Sequence, residues 1–183
     1  KESTDCGGSG LVICGSGICP CAFRRLRVVF AARGFSMGAH VIRDPSCIFC
    51  RIVSREIPAA IVFEDDATLA FLDVHPVADG HLLIIPKSHY LRLIDLPADL
   101  NGRLAGVLPK LGNALMNVTG AGGFNVLCNN GEVAGQVVPH VHFHLIPRTQ
   151  EDGLGYRWNA KTYSTGKADE HEAAYRRVLS DIL

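Results

Sequence analysis

The segment PHVHFHLIPR, residues 139–148, sets His140, His142 and His144 at every second position. Imidazole titrates close to neutrality, so a neutral ring is available as a nucleophile, a proton carrier or a metal ligand. On a β-strand side chains alternate, which sends all three rings to one face and Val141, Phe143 and Leu145 to a core on the other. At ~3.3 Å per residue the outer two rings are roughly 13 Å apart at the backbone, too far for all three to hold one ion with ease. Three readings follow. The segment is a metal site built on an i, i+2 pair, a nucleophilic centre in which one imidazole attacks and another serves the leaving group, or a solvated polar face on an edge strand. The neighbouring NNGEVAGQ, residues 129–136, argues against the last, because Gly- and Asn-rich loops present backbone N–H groups to anions.

Cysteine supplies a second candidate chemistry. The chain has 7 cysteines, an odd number scattered along its length, which does not fit a disulfide scaffold and predicts reduced thiols in a cytoplasmic protein. Cys47-x-x-Cys50 stands apart by its spacing, as either half of a zinc site or a redox pair. The redox alternative requires a thioredoxin-like βαβ context, which the sequence lacks.

The elements that must position these groups are legible from hydrophobic period. CIFCRIVSREIPA, residues 47–59, reads as one short helix or turn. Residues 59–66 and 67–74 read as two strands of a hairpin with an acidic turn. Leu82 to Ile85 is a continuous apolar run stopped by Pro86, as expected of a buried central strand. From Asp95 to Val118 the period becomes helical: Leu100, Leu104, Val107, Leu108, Leu111, Leu115 and Val118 share a face. Asp95 is the expected cap, with Pro97 in the first turn, and Pro109 is expected to kink or divide the helix. Phe124–Cys128 and residues 137–147 supply the last two strands. The predicted fold is α+β: an antiparallel five-stranded sheet with one long helix packed on it and short flanking helices. A closing helix is expected from Lys167, with Glu170 and Glu172 near its start and Arg176 and Arg177 near its end, as the helix dipole favours.

Bulk properties narrow the partners. Lys+Arg and Asp+Glu each number 18, so net charge offers no support for a nucleic-acid or membrane-surface partner. No apolar run approaches the roughly 18 residues that span a bilayer. Residues 1–36 are rich in Gly, Ser and Cys, then Arg, and no acid lies between Asp5 and Asp44. They read either as an Arg-rich targeting segment or as a disordered or non-native leader, with the working protein beginning near Met37. The expected organisation is a leader at 1–36, a catalytic domain at 37–150 and a tail at 151–183.

Taken in order, CIFCRIVSREIPA, FEDD, AFLDVHPVADGHLLIIPKSH, NNGEVAGQ and HVHFHLIPR resemble the histidine triad superfamily of nucleotide-binding hydrolases and transferases. The resemblance covers about residues 46–148 and is nearest to the nucleoside phosphoramidase and dinucleoside-polyphosphate branch. It implies that His142 attacks the α-phosphorus of a nucleotide, purine preferred, and forms a nucleotidyl-imidazole that water releases. It places His144 near the phosphate and leaving group, Asn129 and Gln136 at the phosphate, and Asp73 on both ribose hydroxyls. Phe49, Phe71, Val74 and Leu83 match positions that line the base pocket, and His81 matches a position behind the catalytic histidines.

Two further implications of the resemblance concern metal and assembly. Zinc-containing bacterial relatives pair two such cysteines with two histidines, which here are His89 and His140. Cys47, Cys50, His89 and His140 then form a closed tetrahedral structural zinc site, one per chain, with no metal needed for the chemistry. A homodimer with joined sheets is implied, the tail reaching the partner's substrate site. One position departs from the pattern: where relatives carry Ser or Thr after the loop glutamine, this chain has Val137. Valine offers no hydrogen bond, which leaves open a second function, a nucleotide-binding regulatory module with little turnover.

Overall fold

The computed structural model describes residues 41–154 and 160–182; the leader expected at 1–36 lies outside the described residues. Five strands form one antiparallel sheet in the order β1-β2-β3-β5-β4: β1 Ile61–Glu64, β2 Thr68–Leu72, β3 Leu82–Pro86, β4 Gly123–Leu127 and β5 Phe143–Arg148. The hairpin turn between β1 and β2 is fixed by Asp65, whose Oδ1 accepts the backbone N–H groups of Ala67 (2.8 Å) and Thr68 (2.7 Å). In β2 and β3 the apolar runs are buried on both faces. Alternation then builds two cores. Leu69, Phe71, Leu83 and Ile85 pack with Phe49 and Ile52 of α1 (Ile48–Val53) on one face. Ala70, Leu82, Ile84, Phe143 and Leu145 pack on the other face with Leu104, Leu111 and Leu115 of α2 (Ala98–Thr119). A sheet covered on both sides holds its inner strands rigidly, and β5, which carries His144, lies between β3 and β4.

The long helix differs from the sequence expectation in three respects. Asp95 does not cap it: the Asp95 carboxylate accepts from the Arg92 backbone N–H (3.0 Å) and guanidinium in a short 3₁₀ turn, Leu93–Asp95, and Pro97 occupies the cap position of α2. Pro109 sits inside α2 without dividing it. Burial of Leu104 on one side of the proline and Leu111 and Leu115 on the other holds both halves to the same sheet, which offsets the forfeited N–H. Val118, assigned to the apolar face, is exposed. Gly112 permits the close approach of α2 to β4, because a Cβ there would stand 2.3 Å from the Phe124 ring.

The histidine segment also differs. The strand begins at Phe143, so His140 and His142 precede it. Pro139 has no N–H to donate, His140 N–H bonds Val138 O (2.8 Å), and Val141 N–H bonds Tyr90 O (2.7 Å), so these backbone groups serve a local turn and a crossing chain instead of the ladder. The tail helix α3 spans Lys167–Ile182 as expected from Lys167, but it runs past Arg176 and Arg177. Arg176 instead pairs with Glu172 at 2.8 Å across one turn.

Candidate active site and candidate metal centre

On the α1 face the sheet opens into a cavity of about 440 Å³. Its walls are largely apolar: Phe49, Phe71, Val74 and Leu83 line it, as do Ile48, Ile52 and Ile57. Its polar groups are Asp73, His75, Asn129, His142 and His144. Leu83 pairs with His144 across β3 and β5, which puts an apolar wall residue and an imidazole side by side on one face. Phe49 stands edge-on to Phe71 (centroids 5.6 Å), His140 (5.8 Å) and His142 (5.3 Å), so one ring joins the cavity floor to both histidines.

Hydrogen bonds fix the tautomers. His142 Nδ1 lies 2.7 Å from the His140 carbonyl oxygen. A carbonyl only accepts, so Nδ1 carries the proton and Nε2 is left with a bare lone pair. His81 Nε2 lies 2.9 Å from His144 Nδ1. The Val77 backbone N–H donates to His81 Nδ1 (3.4 Å), which leaves the His81 proton on Nε2, facing His144. His144 thus accepts through Nδ1 and keeps its proton on Nε2. His142 and His144 stand with ring centroids 4.8 Å apart. Burial lowers the pKa of His142 and His81, and burial with the neighbouring His142 and His81 brings His144 down to about 4. The site therefore holds neutral imidazoles at neutral pH.

The loop residues are placed differently from one another. Asn129 lines the cavity, its amide donating to Gly135 O at 3.3 Å. Gln136 is buried and outside the cavity wall: its amide donates to Leu91 O (2.7 Å) and Val138 O (3.1 Å), and its oxygen accepts from Gly131 N–H (2.7 Å). Gly135 sits at φ 87°, a left-handed conformation that lets the loop close on itself. Val137 is 90% exposed at the cavity mouth.

Behind Phe49 the second constellation assembles. One donor atom from each of Cys47, Cys50, His89 and His140 lies within 4.8 Å of the others. Sulfur-to-nitrogen distances are 3.4 Å for Cys47 to His140 Nδ1, 3.4 Å for Cys50 to His89 Nδ1 and 3.7 Å for Cys50 to His140 Nδ1. His140 Nε2 lies 3.0 Å from the Pro86 carbonyl, so the proton is on Nε2 and the Nδ1 lone pair faces the sulfurs. His140 is fully buried, and burial lowers its pKa to about 4. Two thiols and two imidazoles, one of them already held by a backbone carbonyl, fit a tetrahedral zinc ion. Asp44 was not anticipated from the sequence. Its backbone N–H points at Cys50 Sγ (3.4 Å) and its carboxylate lies 4.0 Å from His89 Nε2, so it supports two of the four candidate ligands. Also unanticipated were Ile48, Ile52, Ile57 and His75 of the cavity wall. The i, i+4 spacing of Ile48 and Ile52 on a short helix was the available signal for the first two.

Known proteins resemble this chain in sequence and in fold. The HIT domain family matches residues 54–151, and the chain belongs to that family. It is 46% identical over 142 residues to the adenosine 5′-monophosphoramidase HNT1 of Candida albicans, covering 75% of this chain and 93% of that one. It is 44% identical over 108 residues to the adenylylsulfatase HINT3 of Arabidopsis thaliana, covering 59% of this chain and 55% of that one. Among solved structures, a zinc-bound histidine triad family protein from Mycobacterium smegmatis superposes with a TM-score of 0.57 at 34% identity, covering 74% of this chain and 97% of that one.

Proposed function

We propose that the protein is a nucleotide hydrolase that cleaves at the α-phosphate of nucleoside phosphoramidates or dinucleoside polyphosphates through a covalent nucleotidyl-His142. The observation that carries this reading is the fixed tautomer of His142, with an unprotonated Nε2 beside a cavity that combines apolar walls with a carboxylate. Relatives named as a monophosphoramidase and an adenylylsulfatase support it. Phe49, Phe71, Val74 and Leu83 hold the base, and the Asp73 carboxylate accepts from the ribose hydroxyls. His142 Nε2 attacks phosphorus and the bond to the leaving nitrogen or oxygen breaks. The Nε2–H of His144 hydrogen-bonds that leaving atom, which takes its proton from solvent, with His81 holding His144 in the donating tautomer. Water then attacks the phosphorus, the bond from phosphorus to His142 Nε2 breaks, and the water proton passes to solvent as the nucleoside monophosphate is released. Asn129 meets the phosphate directly, whereas Gln136 acts through the loop it braces.

The same reading assigns a structural zinc ion to Cys47, Cys50, His89 and His140, where it supplies a crosslink between α1 and the sheet and no catalytic step. A homodimer and a cytoplasmic location belong to the reading too. Among the described residues no helix is long and apolar enough to cross a membrane. Purified protein is expected to release AMP from adenosine 5′-phosphoramidate, with turnover abolished in His142→Asn. A wild type that binds AMP but releases none from that substrate would overturn the hydrolase reading.

One observation favours a second reading. Val137 lines the cavity mouth without a hydroxyl to offer the phosphate or leaving group, so the protein is alternatively a nucleotide-binding regulatory module with little turnover. One lost hydrogen bond is worth about 0.5–1.5 kcal/mol net, a factor of roughly two to twelve in rate. Val137→Ser is expected to raise phosphoramidate hydrolysis by that factor; an unchanged rate assigns Val137 no part in turnover.

A further inference from the structure

Asp73, His81 and His144 form a second constellation with metal-binding geometry, separate from the cysteine cluster. One donor atom from each lies within 4.8 Å of the others. The sheet brings them together: Asp73 follows β2, His81 precedes β3, and His144 lies on β5 opposite Leu83. His81 Nε2 is 2.9 Å from His144 Nδ1, and His81 Nδ1 is 3.5 Å from Asp73 Oδ2. Zinc-to-ligand bonds of about 2.0–2.1 Å set the donors around a tetrahedral ion roughly 3.4 Å apart; the two short distances belong to different nitrogens of His81, so its ring turns to offer one of them to an ion shared with both partners. Asp73 and His144 line the cavity while His81 is buried behind them, which gives an ion access from solvent and leaves its fourth position facing the cavity. Two imidazoles and one carboxylate with an open position are a donor set suited to zinc or cobalt.

We propose that Asp73, His81 and His144 reversibly bind one zinc-type transition-metal ion, and that this ion excludes the nucleotide and inhibits turnover. The inhibitory consequence rests on the nucleotide reading above; the metal binding does not. The ion takes the lone pair of His144 and one of His81, and the proton now held between the two rings leaves to the free His81 nitrogen or to solvent. Asp73, directed at the ion, no longer accepts from a ribose, and His144 no longer serves a leaving group. The site has no sulfur ligand, so its spectrum differs from that of the cysteine cluster, and the two are counted separately.

Cobalt(II) titration of the full chain, with zinc already in the cysteine cluster, tests this. One additional cobalt per chain is expected, giving visible d–d absorption without the near-ultraviolet thiolate-to-cobalt band. Asp73→Asn and His81→Ala are each expected to weaken it at least about tenfold, since removing even a group that only supports a ligand costs that much. Retention of the cluster zinc shows that each variant is folded. No additional cobalt in the wild type, or unchanged affinity in both folded variants, overturns the proposal. AMP binding to the cobalt-free protein is measured first, and AMP is then expected to displace the cobalt. If AMP binds yet leaves the cobalt in place, the exclusion is wrong. If AMP never binds, the nucleotide reading fails instead and the metal site stands on its spectrum and variants.

Discussion

His142 and His144 differ in protonation because their hydrogen-bond partners differ. A carbonyl takes the Nδ1 proton of His142, and an imidazole N–H is given to Nδ1 of His144, so one presents a lone pair and the other a proton. Both are lowered in pKa chiefly by burial, His144 to about 4. A nucleophile lowered in this way stays unprotonated below the pH at which an exposed histidine titrates, so the acid limb of kcat/KM is expected below pH 6.5. An acid limb at or above pH 6.5 would contradict that placement. Stability follows with the opposite economy of protons. The unfolded chain takes up a proton at His144 near pH 6.5, and the folded chain not until about 4. The folded state is therefore favoured above pH 6.5 and loses that advantage as pH falls from 6.5 to about 4. Thermal melts across that range are expected to show a steeper decline for the wild type than for His144→Asn.

At the scale of elements, the precision of the site depends on how closely α2 and α1 press on the sheet. Gly112→Ala gains about 1 kcal/mol of helix propensity and incurs about 1–3 kcal/mol of overpacking against Phe124, where the added carbon meets three ring atoms at 2.3–2.8 Å. A net loss of up to about 2 kcal/mol is expected in denaturant melts, and a raised midpoint would contradict the close packing. The strands were legible because the unbroken apolar run from Leu82 to Ile85 and the alternation from Phe143 to Leu145 are properties of local sequence. The start of α2 and the start of β5 were not. Asp95 carries a side chain suited to capping α2 but spends it on Arg92, and residues 140–142 read as strand but bond to Val138 and Tyr90. Each boundary was decided by a competing partner, and in the case of Tyr90 one distant in sequence.

Across the whole molecule the candidate metal centre and the candidate active site share a residue. The His140 ring faces the cysteines while its backbone carbonyl holds His142, and Phe49, in the turn between Cys47 and Cys50, touches both rings. Metal loss is therefore expected to reach the cavity. Purified protein should carry one zinc per chain; Cys47→Ser should lose it, melt at lower temperature and show a higher KM for nucleotide substrates. Full zinc occupancy in that variant would contradict the ligand set. The resemblance carried by His140, His142 and His144 named the right family, and the spacing alone presented the three as one set. The separation of His140 from the other two was legible only through the likeness to zinc-containing relatives, because the distant partners Cys47, Cys50 and His89 reveal themselves by position in the fold. The inward turn of the Gln136 amide was not legible at all, since it depends on backbone groups of Leu91 and Gly131 that any side chain there would meet.

The central claim is the covalent bond to His142 Nε2. Rapid quenching of the protein with adenosine 5′-phosphoramidate, followed by intact-mass and peptide analysis, measures it directly. The expected result is one adenylyl group per chain, labile to acid, on the peptide containing His142 and missing from folded His142→Asn that still binds AMP. Turnover with no adduct at any quench time, or an adduct that persists in His142→Asn, would contradict the account.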